Sequence, residues 1–322
     1  MMPVTPGGKS AVVLAYAAAA VVTCALTPLA RWLALRSGAV DIPDQRKAHE
    51  RPVPTLGGIA IILGFLVAAW VGGAFLYLRP HVSGAILGGA LLVATVGFID
   101  DRKEITAKVK LGLQIVATGP LLLGGVTINF LSDPFHQTMI ALPGWLAAAL
   151  TVIWVVGVTN AINLIDGLDG LAAGVSAIAC VALATVAITW QQPAAALLCA
   201  AVAGASAGFL PWNWHPAKVY MGDTGAYFLG YMIAATTIVG AFKVAAAISV
   251  LVPILVLAVP LLDTLLSPVR RYLRGRSAFA PDREHLHHRL VALGISEPRV
   301  VLLTYIVTGV CGAIAIWISR RG

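Results

Sequence analysis

The chain has 322 residues, of which 59% are hydrophobic and only 11% carry a charge. Ordinary soluble domains carry charge on roughly a quarter of their residues, so this composition, with a mean hydropathy of +0.89, excludes that class. The net charge of +8 does not indicate nucleic-acid binding, because the charges occupy segments between long apolar runs.

Runs without Lys, Arg, Asp or Glu recur along the whole chain. A transmembrane helix needs about 20 apolar residues, and we assign ten candidate runs: residues 10–30, 57–78, 82–99, 111–132, 144–165, 170–190, 193–210, 224–242, 244–262 and 300–319. The first is interpreted as a retained helix, because no small-residue cleavage site follows it closely. We predict an all-α, polytopic integral membrane protein with about ten transmembrane helices, in which residues 1–322 form a single domain.

The charged residues are divided unequally between the two sides of the predicted bundle. With ten spans the loops alternate sides, and 17 of the 22 Lys and Arg residues fall on one side with 13 of the 14 acidic residues. The positive-inside rule assigns that side to the cytoplasm and both termini to the outside. Catalytic loops are therefore expected at the cytoplasmic face.

The first of these loops, residues 41–58, contains three prolines and several cations, among them Lys47. Its cations can hold a substrate phosphate, or they can bind anionic lipid head groups. Gly57 and Gly58 open the second apolar run, and their N–H groups are a further candidate anion site.

Adjacent carboxylates, Asp100 and Asp101, end the third run. They repel each other and oppose the helix dipole, so a cation is expected beside them. Arg102 and Lys103 can supply it, and so can Mg²⁺, which binds one or two carboxylates together with substrate phosphates. Lys108 and Lys110 follow at the start of the next run.

An uncharged stretch of 22 residues, 144–165, ends abruptly in asparagines and carboxylates within Asn160–Gly170. The stretch is long enough to cross the bilayer, so the polar cluster lies at a membrane surface. We interpret this cluster as half of an active site. Asp223 precedes another run and is either a second acidic site residue or an N-cap of its own helix.

Three of the seven histidines fall in the segment His285–Leu290. No Cys and no zinc-type His spacing accompanies them, so a zinc site is not indicated. Clustered His and Arg suit phosphate oxygens, and the alternative is a solvated amphipathic turn.

Four motifs together carry a resemblance. Asp100–Asp101, Asn163–Ala172, Val219–Gly225 and His285–Leu290 resemble the polyprenyl-phosphate N-acetylhexosamine-1-phosphate transferases, of the glycosyltransferase family 4 type. They occur in order, on one predicted face, and cover most of the chain. Members of this family transfer a sugar-1-phosphate from a UDP-sugar to a lipid phosphate and release UMP.

The sequence His-Leu-His-His-Arg-Leu is similar to that of the branch that uses UDP-GlcNAc. The resemblance therefore implies UDP-GlcNAc as donor and undecaprenyl phosphate as acceptor, in the inner membrane of a bacterium. The alternative is a phospho-MurNAc-pentapeptide transferase that makes lipid I, and the donor hexosamine stays partly open.

The resemblance also implies roles for individual residues. It implies Mg²⁺, with Mn²⁺ as an alternative, held by Asp223 and Asp101. The implied catalytic residues are Asp100, Asp101, Asp166, His287 and His288. The implied substrate-binding residues are Lys47, Lys108, Asn163, Leu168, Asp169, Asn213, Tyr220, His285 and Arg289, with Tyr220 stacking on uracil.

A transporter of anionic lipids is the competing class. It would place ionisable residues near the bilayer midplane, whereas all ten runs lack Lys, Arg, Asp and Glu. The resemblance implies the two substrates and the lipid bilayer as partners, without nucleic acid, and the sequence leaves a homodimer open.

Overall fold

The protein is described by a computed structural model that covers residues 6–41, 52–103, 105–132, 139–240, 253–262, 264 and 286–321. Its helices are α1 (Pro6–Ser37), α2 (Gly57–Val71), α3 (Pro80–Lys103), α4 (Ala107–Leu123), α5 (Gly144–Ile165), α6 (Leu171–Thr189), α7 (Pro193–Asn213), α8 (Gly222–Gly240), α9 (Leu286–Ala292) and α10 (Glu297–Ser319). The predicted all-α, polytopic class is confirmed.

Two short antiparallel ladders accompany the helices. Strand β1 (Val40–Asp41) pairs with β2 (Val53–Pro54), and β3 (Phe130–Ser132) pairs with β4 (Met139–Ala141). The first ladder lies between α1 and α2, and the second connects α4 to α5. Both therefore lie in connections between helices.

The predicted number of ten spans is too high for the described residues. Among the helices that the structure describes, six are long and apolar enough to cross a membrane: α1, α3, α5, α6, α7 and α10. Helices α2 and α4 have 15 and 17 residues, because a glycine pair follows each of them and glycine is a poor helix former. Of the predicted span 244–262, residues 244–252 lie outside the described residues.

Helix α8 lies in the interior of the bundle. Every residue from Thr224 to Ile238 is buried, whereas α1 and α10 expose large apolar side chains such as Val13 and Ile306. Exposed apolar side chains on a membrane helix suit contact with lipid tails. The chain is therefore arranged around α8, with α1 and α10 at the periphery.

The N-terminus of α8 is reached by two other segments. A methyl group on Gly97 of α3 would lie 2.5 Å from the carbonyl oxygen of Asp223, so only glycine permits this approach. The N–H groups of Gly57 and Gly58 donate to the carbonyls of Tyr220 and Met221 at 3.0 Å. These amides are used within the protein, so the prediction that they face an anion is wrong.

Candidate active site

Asp101 provides the acceptor for the N-terminus of α8. Its Oδ1 accepts the N–H of Asp223 at 2.7 Å, and its Oδ2 accepts the N–H of Thr224 at 3.1 Å and the Thr224 hydroxyl at 2.7 Å. The preceding Gly222 has a φ of +67°, and a side chain there would meet the Asp101 carboxylate. The cap of α8 is therefore Asp101 of α3, and the predicted alternative, in which Asp223 caps its own helix, is wrong.

Asp100 has a different environment although it is the next residue in the chain. Only 4% of it is exposed. Its Oδ1 accepts the N–H of Ile105 at 3.1 Å, and its Oδ2 accepts the hydroxyl of Tyr227 at 3.1 Å and forms an ion pair with Lys110. The cation beside Asp100 is thus Lys110, whereas Arg102 is exposed and lies over the ring of Phe98.

Asp223 completes a cluster around the same ammonium group. Its Oδ1 accepts the side-chain amide of Asn163 at 2.7 Å, and its Oδ2 is 3.5 Å from Nζ of Lys110. Lys110 therefore lies between carboxylates from α3 and α8, and Asn163 fixes the second of them from α5. We call Lys110, Asp100, Asp223 and Asn163 the Lys110 cluster.

The turn between α5 and α6 is held by separate contacts. Oδ2 of Asp169 accepts the N–H of Ala217 at 2.9 Å and lies 3.0 Å from Nδ1 of His215. The same Nδ1 is 3.7 Å from Oε2 of Glu297 on α10. We call Asp169, His215 and Glu297 the His215 bridge.

Gly170, at the end of this turn, is bound from two sides. Its N–H donates to Oδ1 of Asn213 at 3.1 Å, and its carbonyl accepts the hydroxyl of Tyr305 at 2.6 Å. The side-chain amide of Asn213 donates to the carbonyl of Val219 at 3.1 Å. Asn213 therefore ties the turn to the segment before α8, and its implied contact with uridine stays a prediction.

The electrostatics of the turn indicate a shortage of positive charge. Desolvation of the partly buried Asp166 carboxyl raises its pKa well above the usual range, and the nearby carboxylates of Asp223, Asp101 and Asp169 raise it further. Desolvation and the neighbouring Asp169 likewise raise the pKa of Tyr220. Asp166 thus lies within electrostatic range of three other carboxylates, whereas the ammonium group of Lys110 pairs with Asp100 and Asp223.

This arrangement fits a divalent cation held jointly with a substrate. Within the described ranges, no group of three His, Cys, Asp or Glu side chains forms a ligand set. Mg²⁺ commonly binds through one or two carboxylates and completes its shell with water and phosphate oxygens. Asp223 suits such a role, whereas both oxygens of Asp101 accept hydrogen bonds from α8, so its metal role stays a prediction.

Other predicted site residues lie apart from these clusters or outside the description. Lys108 is exposed, and Arg289 is exposed on α9. Leu168 is buried in the turn between α5 and α6. Lys47 and His285 lie outside the described residues, as do the side chains of His287 and His288.

Several residues that the sequence analysis did not assign take part in the site. They are Lys110, Tyr227, Thr224, His215, Glu297 and Tyr305. Lys110 was visible as a second cation near the paired aspartates, and His215 lies four residues before the motif Val219–Gly225. Nothing in the local sequence distinguishes Tyr227 or Tyr305 from other aromatic residues of membrane helices.

Comparison with known proteins identifies the family. Residues 83–241 match glycosyl transferase family 4. A protein of Bacillus subtilis (strain 168) named "Probable undecaprenyl-phosphate N-acetylglucosaminyl 1-phosphate transferase" is 38% identical over 92% of this chain and 82% of its own length.

Two further relatives are similar over comparable lengths. The decaprenyl-phosphate N-acetylglucosaminephosphotransferase of Mycobacterium tuberculosis (strain ATCC 25618 / H37Rv) is 36% identical over 91% of this chain and 78% of its own length. The phospho-N-acetylmuramoyl-pentapeptide-transferase of Shouchella clausii (strain KSM-K16) is 32% identical over 95% of this chain and 96% of its own length. With its apolar helices and carboxylate clusters, the chain is a membrane enzyme that belongs to glycosyl transferase family 4, among the polyprenyl-phosphate N-acetylhexosamine-1-phosphate transferases.

Proposed function

We propose that the enzyme transfers N-acetylglucosamine-1-phosphate from UDP-GlcNAc to undecaprenyl phosphate, and that it releases UMP. The observation that carries this proposal is the Lys110 cluster. Carboxylates from α3 and α8 meet one ammonium group where apolar helices end, which is where a lipid phosphate and a water-soluble donor can meet.

The choice of donor rests on the relatives. The two relatives named above for N-acetylglucosamine are 38% and 36% identical to the chain, and the muramoyl-pentapeptide relative is 32% identical, whereas a further relative named for N-acetylglucosamine is 28% identical. The difference is small, and the muramoyl relative covers its own length more completely. Phospho-MurNAc-pentapeptide transfer is therefore the second candidate.

The proposed reaction is a direct phosphoryl transfer. An oxygen of the lipid phosphate attacks the β-phosphorus of the UDP-sugar, the bond from that phosphorus to the bridging oxygen breaks, and UMP leaves. Such a transfer needs positioning and charge neutralisation more than covalent chemistry by the protein. A covalent phospho-enzyme with a carboxylate nucleophile is the alternative route.

Lys110 and Asp100 act together in this scheme. Asp100 is buried and bound by Tyr227, Ile105 and Lys110, so it holds the ammonium group in place. The ammonium group attracts the acceptor phosphate and lowers the repulsion between two anionic substrates. The implied role of Asp100 in deprotonating the acceptor stays a prediction.

Mg²⁺, when bound, would neutralise the donor pyrophosphate, and Asp223 would hold it. Asn163 orients the Asp223 carboxylate through its 2.7 Å hydrogen bond. Asp169 and Tyr220 would contact the uridine. Arg289, with His285, His287 and His288, would contact the pyrophosphate or the sugar.

The reaction is proposed at the cytoplasmic face of the bacterial inner membrane. The ends of α3, α5 and α7 and the starts of α4, α6 and α8 carry the site residues, so these residues share one end of the bundle. The charge distribution of the loops assigns that end to the cytoplasm.

The test is UMP release by the purified protein with undecaprenyl phosphate and Mg²⁺. Parallel reactions contain UDP-GlcNAc, UDP-GalNAc or UDP-MurNAc-pentapeptide, and each is repeated with EDTA and then with excess Mg²⁺ or Mn²⁺. We expect metal-dependent release with UDP-GlcNAc alone.

Release with only the pentapeptide donor would overturn the donor assignment and keep the reaction class. Release that persists in EDTA would overturn the metal requirement. A folded protein that releases UMP with none of the donors would contradict the proposed function. The Asp223→Asn variant provides a matched control for contaminating activity.

A further inference from the structure

One imidazole joins three segments that are far apart in the sequence. Nδ1 of His215, before α8, lies 3.0 Å from Oδ2 of Asp169 and 3.7 Å from Oε2 of Glu297. An ionised carboxylate only accepts hydrogen bonds, so Nδ1 carries the proton that it donates to Asp169. The bridge thus connects the turn after α5, the segment after α7 and the start of α10.

Helix α10 contacts the same turn at a second point. The hydroxyl of Tyr305 donates to the carbonyl of Gly170 at 2.6 Å, about two helical turns from Glu297. Helix α9 is tied to the short segment before α10, because the N–H of Ile295 donates to the carbonyl of Leu290 at 3.3 Å. The position of α9, which carries Arg289, therefore depends on the contact between α10 and the turn.

The bridge lies at an accessible edge of the site. The His215 side chain is 42% exposed, whereas the Asp169 side chain is 14% exposed. A polar interaction at such a place contributes little to folding. Its removal is therefore expected to change local geometry more than overall stability.

We propose that His215 is a positioning residue for the nucleotide-sugar donor, an inference that rests on the proposed function. It holds Asp169 against Glu297, so that the turn after α5 and the α9–α10 segment form one surface. Without the imidazole, two carboxylates would face each other with no donor between them, and their repulsion would separate the turn from α10. The Lys110 cluster shares none of these hydrogen bonds, so acceptor binding is expected to persist.

The kinetic test compares His215→Ala, Glu297→Gln and the double variant with wild type. The KM for UDP-GlcNAc is measured at saturating undecaprenyl phosphate, and the KM for undecaprenyl phosphate at saturating donor. For His215→Ala we expect the donor KM to rise about fivefold to tenfold, and the acceptor KM and kcat to change less than about twofold.

The double variant separates repulsion from a general loss of structure. Glu297→Gln removes one of the two facing charges, so it is expected to lower the donor KM of His215→Ala toward the wild-type value. His81→Ala is the matched control, because His81 is an exposed histidine at the start of α3, at the other end of that helix from Asp100. A donor KM that stays unchanged, or that rises equally with the acceptor KM, would overturn the proposal.

Hydrogen–deuterium exchange without substrate tests the bridge independently of turnover. Peptides that cover residues 166–172 are expected to exchange faster in His215→Ala than in wild type or His81→Ala. Unchanged exchange, or faster exchange with an unchanged donor KM, would contradict the positioning role. If wild type shows no transfer, the proposed function fails and the donor role fails with it, whereas active wild type with unaffected variants overturns the His215 proposal alone.

Discussion

The Lys110 cluster and the His215 bridge both place carboxylates around one basic side chain, but their surroundings differ. Lys110 pairs with a 4% exposed aspartate between membrane helices, and His215 is 42% exposed among loops and a helix start. A charge pair is stronger in surroundings of low dielectric constant and weak where water screens it. We therefore propose charge neutralisation as the role of the Lys110 cluster and positioning of the donor as the role of the His215 bridge.

The largest difference in kcat between the two groups is expected when one carboxylate in each is changed to its amide. Asp223→Asn removes a charge from the Lys110 cluster and should lower kcat about 100-fold to 1000-fold. Glu297→Gln, the same change at the His215 bridge, should lower kcat less than about tenfold. Steady-state UMP release by detergent-purified variants with unaltered size-exclusion profiles measures both. Similar losses would show that the comparison is wrong.

Two lysines of α4 provide the next test. Lys110 contacts Asp100 and Asp223, whereas Lys108 is exposed. Lys110→Met should lower kcat about 100-fold, since it leaves the buried Asp100 and the partly buried Asp223 without their cation. Lys108→Met should lower kcat less than about tenfold. A larger loss at Lys108 would favour the substrate-binding role that the sequence predicts for it.

Donor binding can be separated from catalysis at Tyr220. Stacking of a base on an aromatic ring contributes about 1–3 kcal/mol in nucleic-acid sites, so Tyr220→Ala should raise the donor KM about 5-fold to 100-fold. Tyr220→Phe retains the ring and should change the donor KM much less. The KM values for both substrates test the assignment of Tyr220 to uracil stacking, because an equal rise in the acceptor KM is incompatible with that role.

The smallest expected effect concerns stability. The Thr224 hydroxyl donates to Oδ2 of Asp101 at 2.7 Å in the cap of α8. Thr224→Val should lower the free energy of unfolding by about 1 kcal/mol, measured by SDS titration in mixed micelles. Thr185→Val, at a partly buried threonine whose hydroxyl donates to the carbonyl of Val181 within its own helix, is the matched control. Equal effects would mean that the cap contributes nothing specific.

The sequence alone was sufficient for the membrane class and for the prediction that certain acidic residues lie together at one end of the bundle. Apolar runs and the unequal distribution of charge are local properties, and they are enough to assign Asp100, Asp223 and Asn163 to one end of the bundle. The Lys110 cluster contains all three. Within the described residues fewer helices than ten are long and apolar enough to span, in part because α2 and α4 end at glycine pairs inside long apolar runs.

The tertiary structure decided which groups contact one another. Asp101 caps a helix whose first amides lie 122 residues further along the chain, while the adjacent Asp100 binds Lys110 and Tyr227. Lys108 and Lys110 carry the same charge two residues apart on α4, yet Lys110 contacts the carboxylates and Lys108 is exposed. Sequence patterns determine which chemical groups reach the membrane surface, but hydrogen-bond partners depend on helix packing, which no local pattern specifies.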